Sequence, residues 1–197
     1  MDIKNYYKVY DNNKRFIRKI HEKDELQEEN FLKGVTCFVI NKNGEILIEQ
    51  RASKSKLMPG ELDLCSGHVD GEETYTQAMI REYTEELHSG SKQEKERATI
   101  EAISRLRPIT ELSLNFKNRG RVRNFFIKFY TLITDNTDIH VQEAEIEKIL
   151  WVPMEECFEL IRSGKTKFPY DSRYEEIFKK VEEIFRCVGT RENNITR

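Results

Sequence analysis

The sequence predicts an α/β (α+β) fold, a mixed β-sheet sandwiched between helices in a layered α/β/α domain. Three observations lead there. Short apolar runs rich in β-branched residues recur along the chain, several are joined by tight polar turns, and segments of helical period interleave with them. At 197 residues the chain can bury one sizeable core, and it shows no internal repeat, low-complexity tract or Pro/Ser-rich linker. Residues 1–30 read as an N-terminal extension packed on the domain, 31–187 as the domain itself and 188–197 as a flexible tail.

Taken in order, Tyr6–Tyr10 and Phe16–Ile20 carry strand signals, with Asp11-Asn12-Asn13 as the turn between them. A charged stretch, His21–Asn30, leads into Gly34–Ile40, which is β-branched and apolar. Asn41–Gly44 is a turn and Glu45–Glu49 alternates polar with apolar, so the two runs read as a hairpin. A basic loop, Arg51–Gly60, precedes a short strand at Leu62–Cys65 and a turn at Asp70-Gly71. Helical spacing then runs from Thr74 to Leu87. Further strands are expected at Ala98–Arg105, Leu112–Phe116, Val122–Ile133 and Ile149–Val152. Pro153 opens a helix reaching Ile161, with Gly164 beyond its end. Ile177, Val181, Ile184 and Phe185 mark a last amphipathic helix over Ser172–Cys187, followed by the polar, frayed Gly189–Arg197.

Composition excludes several classes. Hydrophobic residues make up 38% and charged residues 35%, with the apolar ones gathered into runs, which argues against disorder. No stretch approaches the length of a membrane span, and Met1–Asn5 lacks the apolar core of a signal peptide, so a cytoplasmic protein is expected. Cys37, Cys65, Cys157 and Cys187 form no Cys-x-x-Cys pair and read as reduced thiols, not as disulfides or a zinc site. A formal charge of −2 argues against a nucleic-acid polymer as partner. A small polyanion remains open, because a bound cation can supply positive charge locally.

The informative segment is Gly67–Ser89, GHVDGEETYTQAMIREYTEELHS. With about 100° per residue, Glu82, Glu85 and Glu86 share one helical face, while Met79, Ile80, Tyr83 and Leu87 form a separate apolar stripe. Like charges at these spacings cost a few tenths of a kcal/mol per pair, and acids near a helix C-terminus oppose the macrodipole. A hard divalent cation reverses both effects, since carboxylate oxygens are what Mg²⁺ or Mn²⁺ prefers. Taken alone, such a cluster is more often a solvated acidic face.

The spacing of Gly67, Glu73, Arg81, Glu82, Glu85 and Glu86 resembles the signature of the Nudix hydrolase superfamily. Tyr83, His88 and Ser89 depart from that pattern at helix-packing and helix-ending positions, and Gly90 is expected to take over the left-handed turn. The flanking ILIEQRASKSKLMPGELDLCSGH and VQEAEIEKILWVPMEE, with FPYDS further on, look like the isopentenyl-diphosphate-isomerase-like branch. The isomerase itself carries a catalytic cysteine two positions before the histidine, where this chain has Ser66. Cys65 is one residue early, which on a strand turns the thiol to the opposite face.

The resemblance implies a Nudix fold and Mg²⁺- or Mn²⁺-dependent hydrolysis of a diphosphate linkage in a small, nucleoside-diphosphate-linked substrate. It implies Glu82, Glu85, Glu86 and the Gly67 carbonyl as metal ligands, with Glu82 or Glu86 taking the proton of the attacking water. Glu73 and Arg81 look like the supporting pair. Glu145, with Glu143 as its neighbour, is the candidate for a further acidic ligand from a second segment. Arg51, Lys54 and Lys56 are candidates for gripping phosphates. Asp171 is a candidate for a nucleobase contact, with capping of the last helix as its alternative. His68 reads as structural. An isomerase-like enzyme and a catalytically silent nucleotide-binding module are the rival readings. Oligomeric state is left open.

Overall fold

A computed structural model describes residues 6–21, 24–54, 58–118 and 120–195. Among them the elements run β1 (Tyr6–Tyr10), β2 (Phe16–His21), β3 (Leu32–Asn41), β4 (Glu45–Arg51), β5 (Leu62–Asp63), β6 (Cys65–His68), α1 (Tyr75–Leu87), α2 (Lys92–Arg105), β7 (Arg107–Asn118), β8 (Arg121–Thr134), β9 (Ile146–Pro153), α3 (Met154–Arg162) and α4 (Tyr174–Ile195). The main sheet has seven strands. Its central path is β5-β4-β3-β8-β7, with β6 added on β3 and β9 on β4. The sheet is mixed because β3 and β8 run parallel while the other pairs are antiparallel.

Two apolar layers flank it. Ile46, Ile48, Phe38 and Phe129 pack with Phe158, Ile161, Phe178 and Val181 of α3 and α4. Val35, Val39, Leu47 and Leu132 pack with Met79, Tyr83, Leu87, Ala98 and Ala102 of α1 and α2. The layered α/β/α arrangement expected from the sequence is therefore present. Burying both faces explains why β4 is apolar at consecutive positions, Ile46 through Ile48, instead of showing one wet face.

The expected hairpin is real only at its turn. β3 and β4 are in register at Ile40–Ile46 and then part. Chain 62–68 spans the opening: β5 pairs with β4 and β6 pairs with β3. That wedge sets Gly67 beside α1 and underlies the site described below.

Ala98–Arg105 is not a strand. It forms the second half of α2, where Ser91 caps the N-terminus by accepting from Glu94 N at 3.2 Å. The β-branched residues that suggested a strand point away from the core: Ile100 and Ile103 are 67% and 66% exposed, and Ala98 and Ala102 make the buried face at i,i+4. Gly90 does not take a left-handed turn; α1 ends at His88, with φ −133°, and His88 bridges to His140. Gly90 leaves room for the Glu94 carboxylate, whose Oε2 would lie 2.1 Å from a Cβ there. α4 continues to Ile195, past the Ser172–Cys187 expected from its apolar stripe.

Tyr6–Tyr10 and Phe16–His21 pair as a two-stranded antiparallel sheet. Val9 and Ile20 of that sheet enter the core on the α3/α4 side, and Tyr10 pairs with Phe31. None of the four cysteines is in a disulfide; Cys37, Cys65 and Cys157 are buried and Cys187 is exposed. Among the described residues no helix is long and apolar enough to cross a membrane.

Candidate active site

The site is built where α1 lies across β6. Thr74 starts α1 with a capping box: its hydroxyl accepts from Gln77 N at 3.3 Å, and Gln77 Oε1 accepts from Thr74 N at 2.8 Å. Tyr83 locks the far end by donating to Glu101 Oε2 of α2 at 3.0 Å. With both ends fixed, the face bearing Glu82, Glu85 and Glu86 is held against β6 and the start of β9.

Gly67 is glycine for a steric reason. A Cβ there would sit 1.9 Å from Glu82 Oε1 and 2.0 Å from Glu82 Cδ. The Glu82 carboxylate therefore occupies the space a side chain would need, pressed onto the β6 backbone. Arg81 holds it there, donating from NH1 to Glu82 Oε1 at 2.8 Å and from NH2 to the His68 carbonyl at 2.9 Å. Glu73 grips the same guanidinium through both oxygens, at 3.2 Å to Nε and 2.8 Å to NH2, and also accepts from Asp70 N at 2.6 Å. The Glu73–Arg81 pair is thus a half-buried, two-point support for Glu82 and not a loose surface ion pair.

The three glutamates differ. Glu85 is largely exposed, with Arg81 NH1 at 3.6 Å. Burial pushes the Glu82 carboxyl up to about 7 against the pull of Arg81. Glu86 is 4% exposed, and its Oε2 has no hydrogen-bond partner. Burial, together with Glu49, Glu82 and Glu145, raises the Glu86 carboxyl well above the usual carboxylate range.

These carboxylates open on a cavity of about 500 Å³. Gly67, Arg81, Glu82, Glu85, Glu86 and Glu145 line it, as do Arg51 and Lys54. Glu145 arrives just before β9, where its carbonyl accepts from Ala52 N at 2.7 Å; Glu143 is exposed and does not line the cavity. Lys56 lies outside the described residues. Asp171 is not a cavity residue. Its carboxylate accepts from Arg173 N, Nε and NH2 at 2.9, 2.8 and 2.7 Å, and its carbonyl accepts from Tyr174 N as α4 begins. Asp171 thus holds the turn that leads into α4, closer to the helix-start alternative than to a place on the cavity wall.

Sequence reasoning missed several residues here. Lys167 reaches the cavity because its backbone N donates to Leu62 O at 2.8 Å, which fastens the α3–α4 loop to β5. Its ammonium donates to Asp63 Oδ2 at 2.9 Å and Ser66 Oγ at 3.1 Å. Phe116, Phe125, Phe168 and Arg123 form another wall, and Tyr7 of the N-terminal hairpin stacks on His68 at 4.3 Å. Burial, reinforced by Lys167, Arg123, Arg81 and Arg51, holds the His68 imidazole down at about 3, so it is neutral. Glu49 on β4 was also passed over. It is fully buried, and desolvation with Asp63 nearby pushes its carboxyl up to about 8.

Ser66, where the isomerase has its cysteine, faces Asp63 and Lys167 on the cavity side. Cys65 points the other way, into the layer under α1, and burial keeps its thiol protonated. The isomerase reading loses its nucleophile.

The profile of the NUDIX domain family matches residues 30–178, most of the chain and all of this site except Tyr7. The chain belongs to the NUDIX domain family. The match is to the family at large and does not distinguish its isopentenyl-diphosphate-isomerase-like branch. An uncharacterized Nudix hydrolase of Nostoc sp. is 40% identical over 55 residues, which is 27% of this chain and 32% of that relative, so under a third of the relative's length is matched. DR0079 of Deinococcus radiodurans superposes with a TM-score of 0.63 at 21% identity, covering 89% of this chain and 98% of its own. The NUDIX domain of Shewanella oneidensis NrtR, in complex with ADP ribose, superposes with a TM-score of 0.51 at 14% identity, covering 78% and 87%. At such identities the likeness speaks to the Nudix fold alone.

The donor set suits a hard divalent cation. Glu82, Glu85, Glu86 and Glu145 line one cavity, and one carboxylate oxygen among them, Glu86 Oε2, is buried without a donor.

Proposed function

We propose that the chain hydrolyses the diphosphate linkage of a small, nucleoside-diphosphate-linked or similar substrate, with Mg²⁺ or Mn²⁺ held by Glu82, Glu85, Glu86, the Gly67 carbonyl and Glu145. The observation that carries this is Glu86, a buried residue of the cavity wall whose Oε2 has no hydrogen-bond partner, set beside Glu82, Glu85 and Glu145 on the same wall. Bound there, the ion would neutralise the diphosphate and make a water more acidic. The protein supplies the rest. Arg51, Lys54 and Lys167 line the cavity and offer positive charge to phosphate oxygens. Arg81, itself fixed by Glu73, keeps Glu82 against Gly67. Glu82 or Glu86 accepts the proton of the water that attacks phosphorus. The aromatic wall of Phe116, Phe125 and Phe168 offers stacking surface to the rest of the substrate. The structural neighbour that holds ADP ribose supports a substrate of this kind.

The test is product release from a panel of nucleoside-diphosphate-linked and other diphosphate compounds, with and without Mg²⁺. Glu85→Gln/Glu86→Gln is expected to lower kcat by about 10³-fold or more, on the scale of losing positioned electrostatic groups. Full activity in excess chelator, or an active double variant, overturns the reading. A silent module would bind a nucleotide and release nothing.

A further inference from the structure

Where β3 and β4 part, a second donor set lies behind the cavity. One carboxylate oxygen each from Glu49 and Glu86 and the Cys65 Sγ all lie within 4.8 Å of one another. The trio is sealed, with Glu49 1%, Cys65 0% and Glu86 4% exposed. Glu49 Oε1 and Glu86 Oε2 have no hydrogen-bond partner. Two neighbouring buried carboxylates, each with one oxygen lacking a donor, are costly as they stand, and a positive charge between those oxygens would offset the cost. The Lys167 ammonium donates to Asp63 and Ser66. Neither Glu49 nor Cys65 lines the cavity, and neither belongs to the glutamate signature on α1. Glu86 lines the cavity and also belongs to the trio, so it gives an ion a way in.

We propose that Glu49, Cys65 and Glu86 form an inner cation site for a thiophilic divalent ion such as Zn²⁺, sharing Glu86 with the outer, oxygen-only site. The sulfur sets the selectivity. Mg²⁺ demands octahedral oxygen and dehydrates reluctantly, whereas Zn²⁺ accepts thiolate and carboxylate together in a four-coordinate shell. Three protein donors leave one position open. On binding, the Cys65 S–H bond is exchanged for a sulfur–metal bond and the proton leaves to solvent. Because Glu86 serves both sites, filling the inner one draws a ligand from the outer one, and Zn²⁺ becomes an antagonist of Mg²⁺-supported turnover. A proton shared between Glu49 and Glu86 is the competing way to satisfy the pair.

The test uses full-length Cys187→Ser protein, which lacks the exposed thiol, and Co²⁺ as a coloured stand-in for Zn²⁺, with excess Mg²⁺ and no substrate. A near-ultraviolet thiolate-to-cobalt band that saturates and is displaced by Zn²⁺ is expected. Adding Cys65→Ser should abolish it, and Glu49→Gln should weaken Co²⁺ binding by about 10-fold or more. Cys37, opposite Cys65 in the β3–β6 ladder, lies outside the trio, so Cys37→Ala should keep the band. Because Cys65→Ser puts a hydroxyl into a sealed layer, X-ray absorption at the zinc edge on the Cys187→Ser protein reads the shell directly. One sulfur at about 2.3 Å with oxygens supports the site. An all-oxygen shell, no band, a band that survives Cys65→Ser, or a band lost with Cys37→Ala overturns it. The readout needs no turnover, so a chain that hydrolysed no diphosphate could still show it, and a working hydrolase could fail it.

Discussion

Gly67 is the residue on which Glu82 depends most directly. Its missing Cβ is what lets the carboxylate lie on β6, and the intruding atom in Gly67→Ala would meet the flexible end of a side chain and not backbone. The fold should therefore tolerate the change, with a stability loss of about 1 kcal/mol, while Glu82 is displaced and kcat falls about 10²-fold. Thermal unfolding and steady-state kinetics on one preparation separate the two; an unchanged kcat would remove Glu82 from the reaction. The acid face also sets a pH dependence for the metal-free protein. Burial raises Glu82 to about 7 and Glu49 to about 8 from about 4.5 in an unfolded chain, so the unfolded state releases these protons first. Their contribution to stability is full below about 4.5 and is lost as pH rises through 7 to 8. The Tm in chelator should fall across that window, and Mg²⁺ should restore it at the alkaline end. The Gly–Glu–Arg–Glu spacing made this face legible in sequence because it is a short-range pattern on one helix. Glu49 was not legible, since its meaning comes from Cys65 and Glu86, which reach it only through the wedge of β5 and β6.

At the scale of elements, local signals were reliable where local chemistry decides. The helix start at Thr74, the Asn41–Gly44 turn and the apolar run of β8 all sit where patterning placed them. α2 escaped because its apolar content is β-branched and exposed, while its buried face is made of two alanines that carry little hydrophobic signal. The true extent of the β3–β4 pairing escaped because the strands that take over past the turn, β6 on β3 and β5 on β4, come from later in the chain. The α1 cap provides a check on how the helix is held. Thr74→Ala removes the side-chain half of the capping box, leaving the backbone N–H to Gln77 Oε1, and should cost about 1 kcal/mol in urea unfolding. It should leave kcat nearly unchanged, because Arg81, Gly67 and the Tyr83–Glu101 contact fix the catalytic turns independently. A large kcat loss would mean that the cap, not the packing against β6, sets the helix position.

Across the whole molecule, the cavity joins parts of the chain that no sequence window contains together: the N-terminal hairpin, β6, α1, the loop before β9 and the loop before α4. The hairpin reads as an appendage in sequence, yet it delivers Tyr7 to the cavity wall, stacked on a neutral His68 that in turn leans on Phe125 at 5.5 Å. Val9 and Ile20 anchor that hairpin in the core, so Tyr7→Ala should leave the fold in place while deleting the whole hairpin would open the α3/α4 layer. If the aromatic wall binds the part of the substrate that is not being cleaved, Tyr7→Ala loses stacking worth about 0.5–1.5 kcal/mol, which is roughly a 2- to 10-fold rise in KM. The diphosphate and its glutamates are untouched by that change, so kcat should hold. Steady-state kinetics on the best compound from the panel distinguishes the two parameters. A fall in kcat at constant KM would instead make the hairpin part of the machinery that places the glutamates, with His68, whose carbonyl receives Arg81, as the connection.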